Sequence, residues 1–521
     1  MKTHVVRIKN TVIMFSSLSG KQQHQTIFLG APEAEAEAIA SSRIPLVDVY
    51  EDFHQLLNGL SAEKFIVIGR KGAGKSAFAE YVYARSLSEP NLRCGFVRKN
   101  DCDLERVVQL GQEAGIDVDS ESFFRWVIYT NIIRLFVDHP AVEGNKDYKL
   151  LRNFLDKNSG YIKINELELK QLISKQGFDV SIEPLCRFMR VAFNRQMETK
   201  SERSPYFKLL GHLEEVIIRL LKTSENKINE NSFVLFFDDL DIGFNAANEA
   251  SVNSLVSLLR ACRHVNNTIF GKNDLKAKAV ILLRDDIEEW ISGRFADTAK
   301  LFSSYASSIN WCQKEFSGQG KNEDLLNLKK FINKRIRHAF NVAQLPCGTD
   351  PWTSLVAERG GGQSSFKYIV KRTLFRPRDL LLFFLPLNTW KFSYPLSRSD
   401  IRELSRRYSE ELAKEVKSEL SSFYEADVIE MIFNALGYIS ESNKTYDQAI
   451  QIIRDNCTGI DENRLLAYLF DRSIVGMVDS KGRVTIKGRR SSPSGIDMQK
   501  NFFVQYGICT YLKKHRYVQT R

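Results

Sequence analysis

The chain has 521 residues, 43% of them hydrophobic and 26% charged, the balance of an ordinary soluble globular protein with room for two to four domains. Its eight cysteines are dispersed and never form C-x-x-C, which argues against a zinc site and a disulfide framework and suits a reducing cytosol. Of a net charge of +11, the stretch from Lys481 to Arg521 carries ten Lys/Arg against the single acid Asp497, and a basic end on a near-neutral body points to a polyanionic partner, nucleic acid first.

Residues 1–60 form a leading segment. Met1 to Leu18, broken by Arg7, Lys9 and Asn10, makes a poor signal peptide, and the longest apolar run, Leu380 to Leu387, is too short for a bilayer. A cytoplasmic protein is expected. Ala31-Pro32-Glu33-Ala34-Glu35-Ala36-Glu37-Ala38 reads as a short acidic helix begun by proline and solvated on the surface. Val47 to Leu60 reads as a second, amphipathic helix.

Lys64 to Ser76 then reads as a buried strand, a glycine-rich turn and a helix start, and Gly69 with Gly74-Lys75-Ser76 fits G-x-x-x-x-G-K-[ST] without a mismatch. Glycines let successive N–H groups point into one concavity that holds phosphate oxygens, and the following helix turns its positive end toward the same anion. The nucleotide-binding set is therefore Gly69, Arg70, Lys71, Gly72, Ala73, Gly74, Lys75, Ser76 and Ala77. Lys75 would reach the β- and γ-phosphates of ATP, and Ser76 would ligate Mg²⁺.

Leu92–Val97 reads as a further strand. Helical patterns follow at Ser120–Phe136, Leu150–Leu155, Ile164–Ile173, Leu185–Phe193 and Leu209–Leu221, so residues 118–230 are expected to be a large helical insertion in an α/β domain spanning 61–312. Ser232–Phe237 is a continuous apolar run, as in a buried parallel strand, ending in Asp238-Asp239-Leu240-Asp241. A helix over Glu249–Arg263 and a second buried strand, Ala279–Leu283 before Arg284-Asp285-Asp286, complete the βα alternation.

Residues 313–423 turn helical. Leu325–Phe340 and Ile401–Phe423 carry apolar stripes at spacings of three and four, and the charged side of the second reads as a solvated face. Residues 424–521 read as a winged-helix-like basic domain: helices at Ala426–Leu436, from the Thr445–Gln448 capping box to about Arg454, and at Glu462–Phe470, then a hairpin of Ile474–Val478 and Arg483–Ile486.

An NTPase site needs a strand-end carboxylate. Asp238 would hold Mg²⁺ through water, Asp239 stands where an acid polarises the attacking water, and Asp241 would assist the metal or cap the next helix. Arg284 follows a buried strand end, a place for a group sensing the γ-phosphate. Arg376 and Arg378, in Arg376-Pro377-Arg378-Asp379, start a helix from which an arginine can stabilise the transferring phosphoryl group. A structural salt bridge is the competing reading for each arginine. Arg260, Arg263 and Arg294 are weaker candidates for a finger given to a neighbouring subunit. The run Arg359–Ser364 echoes an ABC ATPase signature but lies on the wrong side of the acidic strand, so it reads as a loop.

Phe28–Glu35, Gly69–Ser76, Phe237–Asp241, Leu283–Asp286, Arg376–Asp379 and Tyr408-Ser409, in that order and followed by the terminal hairpin, resemble the bacterial P-loop ATPases of the STAND/AAA+ neighbourhood that carry an R-P-R-D element. Some of these occur in antiphage-defence operons. The resemblance implies an ATPase core, a helical lid and a winged helix, as in origin-recognition-type ATPases. It maps Arg284 to a sensor-1-like position and Arg378 or Arg376 to a sensor-2-like one. It also makes the acidic leading segment a family feature without assigning it a role.

The expected function is an ATP-driven switch or motor, oligomeric, acting with nucleic acid or with a separate effector in phage defence. A slow-hydrolysing sensor that oligomerises when its insertion meets a trigger is the alternative, with Asp239 in place of a longer Glu consistent with it. A small-molecule kinase is disfavoured by chain length and by the distance to the acidic strand.

Overall fold

Apolar runs separated by helical patterns build a mixed α/β protein around a parallel sheet. The computed structural model describes residues 26–39, 41–99, 101, 119–142, 144–158, 179–197, 201–222, 230–239, 244, 246, 248–312, 323–358, 364–486 and 495–519, together with a backbone hairpin of His4–Ile8 and Thr11–Phe15. Ile164–Ile173, Asp241 and Arg359–Gln363 lie outside the described residues.

The sheet comprises Ile66–Gly69 (β1), Leu92–Val97 (β2), Ser232–Phe237 (β3), Ala277–Arg284 (β4) and Ala306–Ile309 (β5), in the order β2-β3-β4-β1-β5. All neighbours are parallel, and Gly69 at the end of β1 pairs with both Arg284 and Ile309. Strand residues alternate between two cores. Phe233, Leu235, Phe237, Ala279, Ile281 and Leu283 enter one, and Val67, Val234, Phe236, Val280 and Leu282 the other. Burial on both faces explains why these strands read as unbroken apolar runs.

After the short helix Glu35–Ala38 (α1), Lys75–Ser86 (α2) leaves β1 and packs Phe78, Ala79 and Val82 into the second core. Ser120–Val137 (α3), Glu249–His264 (α4) and Asp285–Ser292 (α5) pack into the first. The chain therefore leaves β1 toward one face and its neighbour β4 toward the other. In open α/β sheets, ligands bind outside the strand ends at such a switch point.

The 118–230 stretch is helical where described, with α3, Lys146–Lys157, Glu183–Phe193 and Leu210–Lys222, and it adds a small antiparallel pair, Asp179–Ser181 with Arg203–Pro205. It shares the sheet's core. Phe123, Trp126, Ile133 and Phe136 of α3 are all buried, and a Cβ on Gly95 of β2 would lie 3.2 Å from Leu135.

A helical region follows with Asn327–Val342 (α6), Pro377–Phe384 (α7) and Arg398–Leu420 (α8). The C-terminal part holds Ala426–Ile439 (α9), Tyr446–Asn456 (α10), with the expected Thr445/Gln448 capping box, and Glu462–Asp471 (α11). Val475–Val478 (β6) lies between Val484–Thr485 (β7) and Asn501–Val504 (β8) in an antiparallel sheet, and Tyr506–Gln519 (α12) packs back on α8. The buried Gln505 amide fastens this part to the helical region, donating to the carbonyls of Lys371 and Thr373 while accepting from Gly507 and Ile508 N–H.

Two expectations are corrected. Val47–Leu60 is not one helix but two short ones, Leu46–Val49 and Leu56–Ser61. Gln55 takes a left-handed φ of 54° and the Asp52 carboxylate accepts from Leu56 and Leu57 N–H, restarting the helix. The acidic segment is helical only over α1, and Glu37 is buried rather than solvated.

Candidate functional site

The turn after β1 bends through two left-handed glycines, Gly72 (φ +76°) and Gly74 (φ +103°), conformations that side chains rarely adopt. A Cβ on Gly74 would meet nothing within 4 Å, so the turn is open there, whereas one on Gly72 would lie 3.0 Å from Cβ and Cδ of Arg378. Lys75 and Ser76 open α2, a 12-residue helix. The Lys75 ammonium donates back to the Gly69 carbonyl at 2.9 Å, within its own loop. Trp311 holds the loop from the sheet side, donating to the Ala73 carbonyl at 2.8 Å.

A cleft of about 110 Å³ lies against this loop. Gly72, Gly74, Lys75, Ser76 and Ala77 form its floor, Arg378 and Leu381 of α7 one wall, and the stretch from Ala31 to Ala34 another. The leading segment thus reaches the site through three alternating glutamates, each paired with an arginine from a different part of the chain. Glu33 pairs with Arg378, Glu35 with Arg98 (3.3 Å), and Glu37 with Arg335 of α6. The last pair is bidentate, at 2.6 and 2.7 Å, with side chains only 2% and 4% exposed. Gly30 (φ +128°) lets the backbone wrap it, since a Cβ there would collide with Arg335 Nη1 and Glu37 Oε1.

The loop's other charged side chains face the helical region. Arg70 donates to Glu419 near the end of α8 and to the Arg472 carbonyl, and Lys71 donates to Ser418 Oγ at 2.8 Å. Arg376, fully buried, chelates Asp379, donates to Glu419 at 2.7 Å and reaches the loop through the Lys71 carbonyl at 2.6 Å. It positions the loop and is absent from the cleft's described lining. Arg284 is bidentate on Asp286 and donates to Ser422 Oγ at 3.1 Å. Arg472 bridges Asp285 and Glu289 of α5. Glu419 stands amid these arginines. Burial alone raises its carboxyl, but Arg70, Arg376, Arg472 and Arg284 together overcome that and hold it down at about 2.

Asp238 is buried at the end of β3, its N–H on the Val97 carbonyl and its Oδ1 accepting from Asp239 N–H at 3.0 Å. Asp239 has a left-handed φ of 60°. β4, with Arg284 at its tip, lies between this strand and β1. The structure therefore brings Gly72, Gly74, Lys75, Ser76, Ala77 and Arg378 into one cleft, with Asp238, Asp239 and Arg284 at neighbouring strand ends.

Residues 326–417 match the family model of a FunZ-associated C-terminal helical domain. No curated protein matches the chain. The matching stretch runs from the start of α6 into α8 and supplies Arg335, Arg376, Arg378, Asp379 and Glu415, the side of the site that faces the loop and the leading segment.

Other sequence candidates sit elsewhere. Arg260 pairs with Asp297 on the surface, and Arg294 stacks on Trp290. At the basic end, Arg483, Lys500 and Lys514 pair with Asp479, Asp497 and Glu410. Sequence reasoning missed Arg335, Glu419 and Arg472, and it singled out the stretches that hold Gly30, Glu33 and Glu37 without giving them a role in the site. The alternation Glu33-x-Glu35-x-Glu37 was a usable signal, and so was the position of Glu419, three residues beyond Val416 in the apolar stripe of α8. Among the described residues, no group of three or more His, Cys, Asp or Glu is arranged to hold a metal ion, and no helix is long and apolar enough to cross a membrane.

Proposed function

We propose that the chain is a P-loop ATPase of the STAND/AAA+ type, a nucleotide-dependent switch in which ATP binds between the glycine loop and the FunZ-associated domain. The observation that carries this is the turn through left-handed Gly72 and Gly74, open at Gly74 and packed on Arg378 at Gly72, which leads into Lys75 and Ser76 at the N-terminus of a 12-residue helix. Backbone N–H groups, a helix end, an ammonium and a guanidinium converging on one cleft are the donor set of a polyphosphate site.

The oxygen donors fit a hard divalent cation, with the Ser76 hydroxyl and the Asp238 carboxylate as the residues that would hold Mg²⁺. When bound, the ion neutralises charge across the phosphates. Lys75 exchanges the Gly69 carbonyl for phosphate oxygens. Arg378 stabilises charge on the transferring group, Arg284 reports its presence, and Asp239 orients and polarises the attacking water.

Replacing Lys75 with alanine is expected to abolish binding of a fluorescent ATP analogue and release of phosphate. Asp239→Ala is expected to retain binding and slow turnover about a hundredfold. Unchanged ATPase activity in the Lys75 variant would sink this reading.

What the switch acts on follows from weaker observations. The basic end supports nucleic acid as a partner, and the resemblance to ATPases of defence operons supports a role against phage with a separate effector. Cells carrying wild type but not Lys75→Ala should resist phage. One observation favours a slow-hydrolysing sensor instead: Arg70 and Arg284 are both engaged by the helical region, at Glu419 in α8 and at Ser422 just beyond it. Light scattering with ATP, with and without DNA, separates the two. ATP-driven assembly that ignores DNA supports the sensor.

A further inference from the structure

We infer that Glu33 is a built-in competitor for Arg378, a carboxylate that occupies the arginine until a nucleotide's terminal phosphate displaces it. The inference rests on the nucleotide reading above and adds to it a specificity-determining residue supplied by the leading segment.

The three glutamates of that segment are not equivalent. Glu37 is an anchor, buried in its bidentate pair with Arg335 and also accepting from Ala31 N–H at 2.7 Å. Ile27 N–H, donating to the Leu387 carbonyl at 3.0 Å, fixes the segment from its other side. Glu33 lies between these fixed points, yet its side chain is 68% exposed, while its partner Arg378 is only 19% exposed and lies against Gly72 in the same cleft as Lys75 and Ser76. Glu415, whose carboxylate lies 3.6 Å from the same Arg378 nitrogen that Glu33 engages, belongs to the helical domain and stays with it.

A carboxylate this exposed gains little from its ion pair, because water solvates it nearly as well. A terminal phosphate brings more charge and several acceptor oxygens to a guanidinium whose fork suits them. The exchange is therefore favourable, and it costs no unfolding. Glu37 keeps the backbone in place while the Glu33 side chain turns out to water. A nucleotide whose phosphates stop at the glycine loop leaves the Glu33–Arg378 pair intact, whereas one that reaches Arg378 has to displace it. Glu33 thus lowers affinity for the ligand that reaches farthest and makes release of the segment's carboxylate a report of its arrival.

The test is a titration of full-length wild type, Glu33→Gln, Glu35→Gln, Arg378→Gln and the Glu33→Gln/Arg378→Gln double variant with fluorescent adenosine tri- and diphosphate. Glu33→Gln should tighten triphosphate binding about three- to fivefold and leave the diphosphate within about twofold. Glu35→Gln makes the same charge change two residues away, on Arg98, and should leave both within about twofold. In the Arg378→Gln background, Glu33→Gln should change nothing. Unchanged or weaker triphosphate binding in Glu33→Gln, an equal gain in Glu35→Gln, or a gain that persists without Arg378 would each overturn the competitor. Wild type that fails to bind either nucleotide would remove the nucleotide reading and the competitor together, whereas binding that is lost in a Lys75→Ala control but insensitive to Glu33 would remove the competitor alone.

Discussion

A carboxylate and a guanidinium that have lost nearly all their water hold the leading segment against the helical region. Taking both charges out of water is costly, and Glu37 and Arg335 recover that cost through two short parallel hydrogen bonds and further bonds to the Leu29 carbonyl and Ala31 N–H. Removing one partner strands the other. Glu37→Gln should therefore destabilise the protein by about 3–5 kcal/mol in urea unfolding, whereas Glu35→Gln, at a half-exposed pair, should cost under about 1 kcal/mol. Equal losses would show that the buried pair has no special role. Gly30→Ala is expected to resemble Glu37→Gln, because its new methyl group would occupy the space of the ion pair itself.

At the scale of elements, the glycine loop is a turn whose shape is set from outside as much as by its own sequence. Arg378 stands where a Gly72 side chain would be, and Arg376 grips the Lys71 carbonyl. Gly72→Ala combines a left-handed strain of about 1–3 kcal/mol with displacement of Arg378, so about a tenfold loss of nucleotide affinity is expected in a titration with a fluorescent ATP analogue. Unaltered affinity would mean that the turn is not the binding surface. The strands and the loop were legible because chemistry and periodicity coincide there: Phe233–Phe237 and Ala279–Leu283 are apolar without interruption, and only glycine suits the two bends. β5 was not legible. Ala306-Ser307-Ser308-Ile309 has neither alternation nor bulk, and it becomes a strand because β1 offers it a free edge. The break at Asp52 was hidden for a different reason, since a carboxylate that caps a new helix looks in sequence like one on a solvated face. β8 and α12 escaped because their register is fixed by partners far away in the chain, Met477 to Phe502 and Gln505 to Lys371.

At the scale of the molecule, the loop, the tip of β4, the end of α8 and the C-terminal end of α11 meet around Glu419. If the C-terminal part binds nucleic acid, affinity should fall with salt at a logarithmic slope of about −0.9 per phosphate contacted, and the acids paired with Arg483, Lys500 and Lys514 should keep that slope below the value for ten contacts. A flat salt dependence would leave this part as a protein-binding module.

The same meeting point makes stability depend on acid. Glu419 is held at about 2 by four arginines, against 4.5 for an ordinary glutamate. Since the folded value is the lower one, its contribution is fully present above about pH 5 and is lost as pH falls through 4.5 toward 2, a difference of about 3 kcal/mol. Glu419→Gln leaves Arg70 and Arg376 with a neutral partner, so it should be about 3 kcal/mol less stable at neutral pH. The decisive comparison is the slope: wild type should lose urea resistance steeply between pH 5 and pH 3, and the variant should lose distinctly less over the same interval. Parallel slopes would mean that the carboxylate titrates alike in both states, and the ionised form of Glu419 would then contribute nothing to holding the arginine cluster together. A shallower slope in the variant would show that the helical region and the C-terminal part are joined to the loop through one ionised carboxylate, the arrangement a switch needs if an event at one end is to be felt at the other.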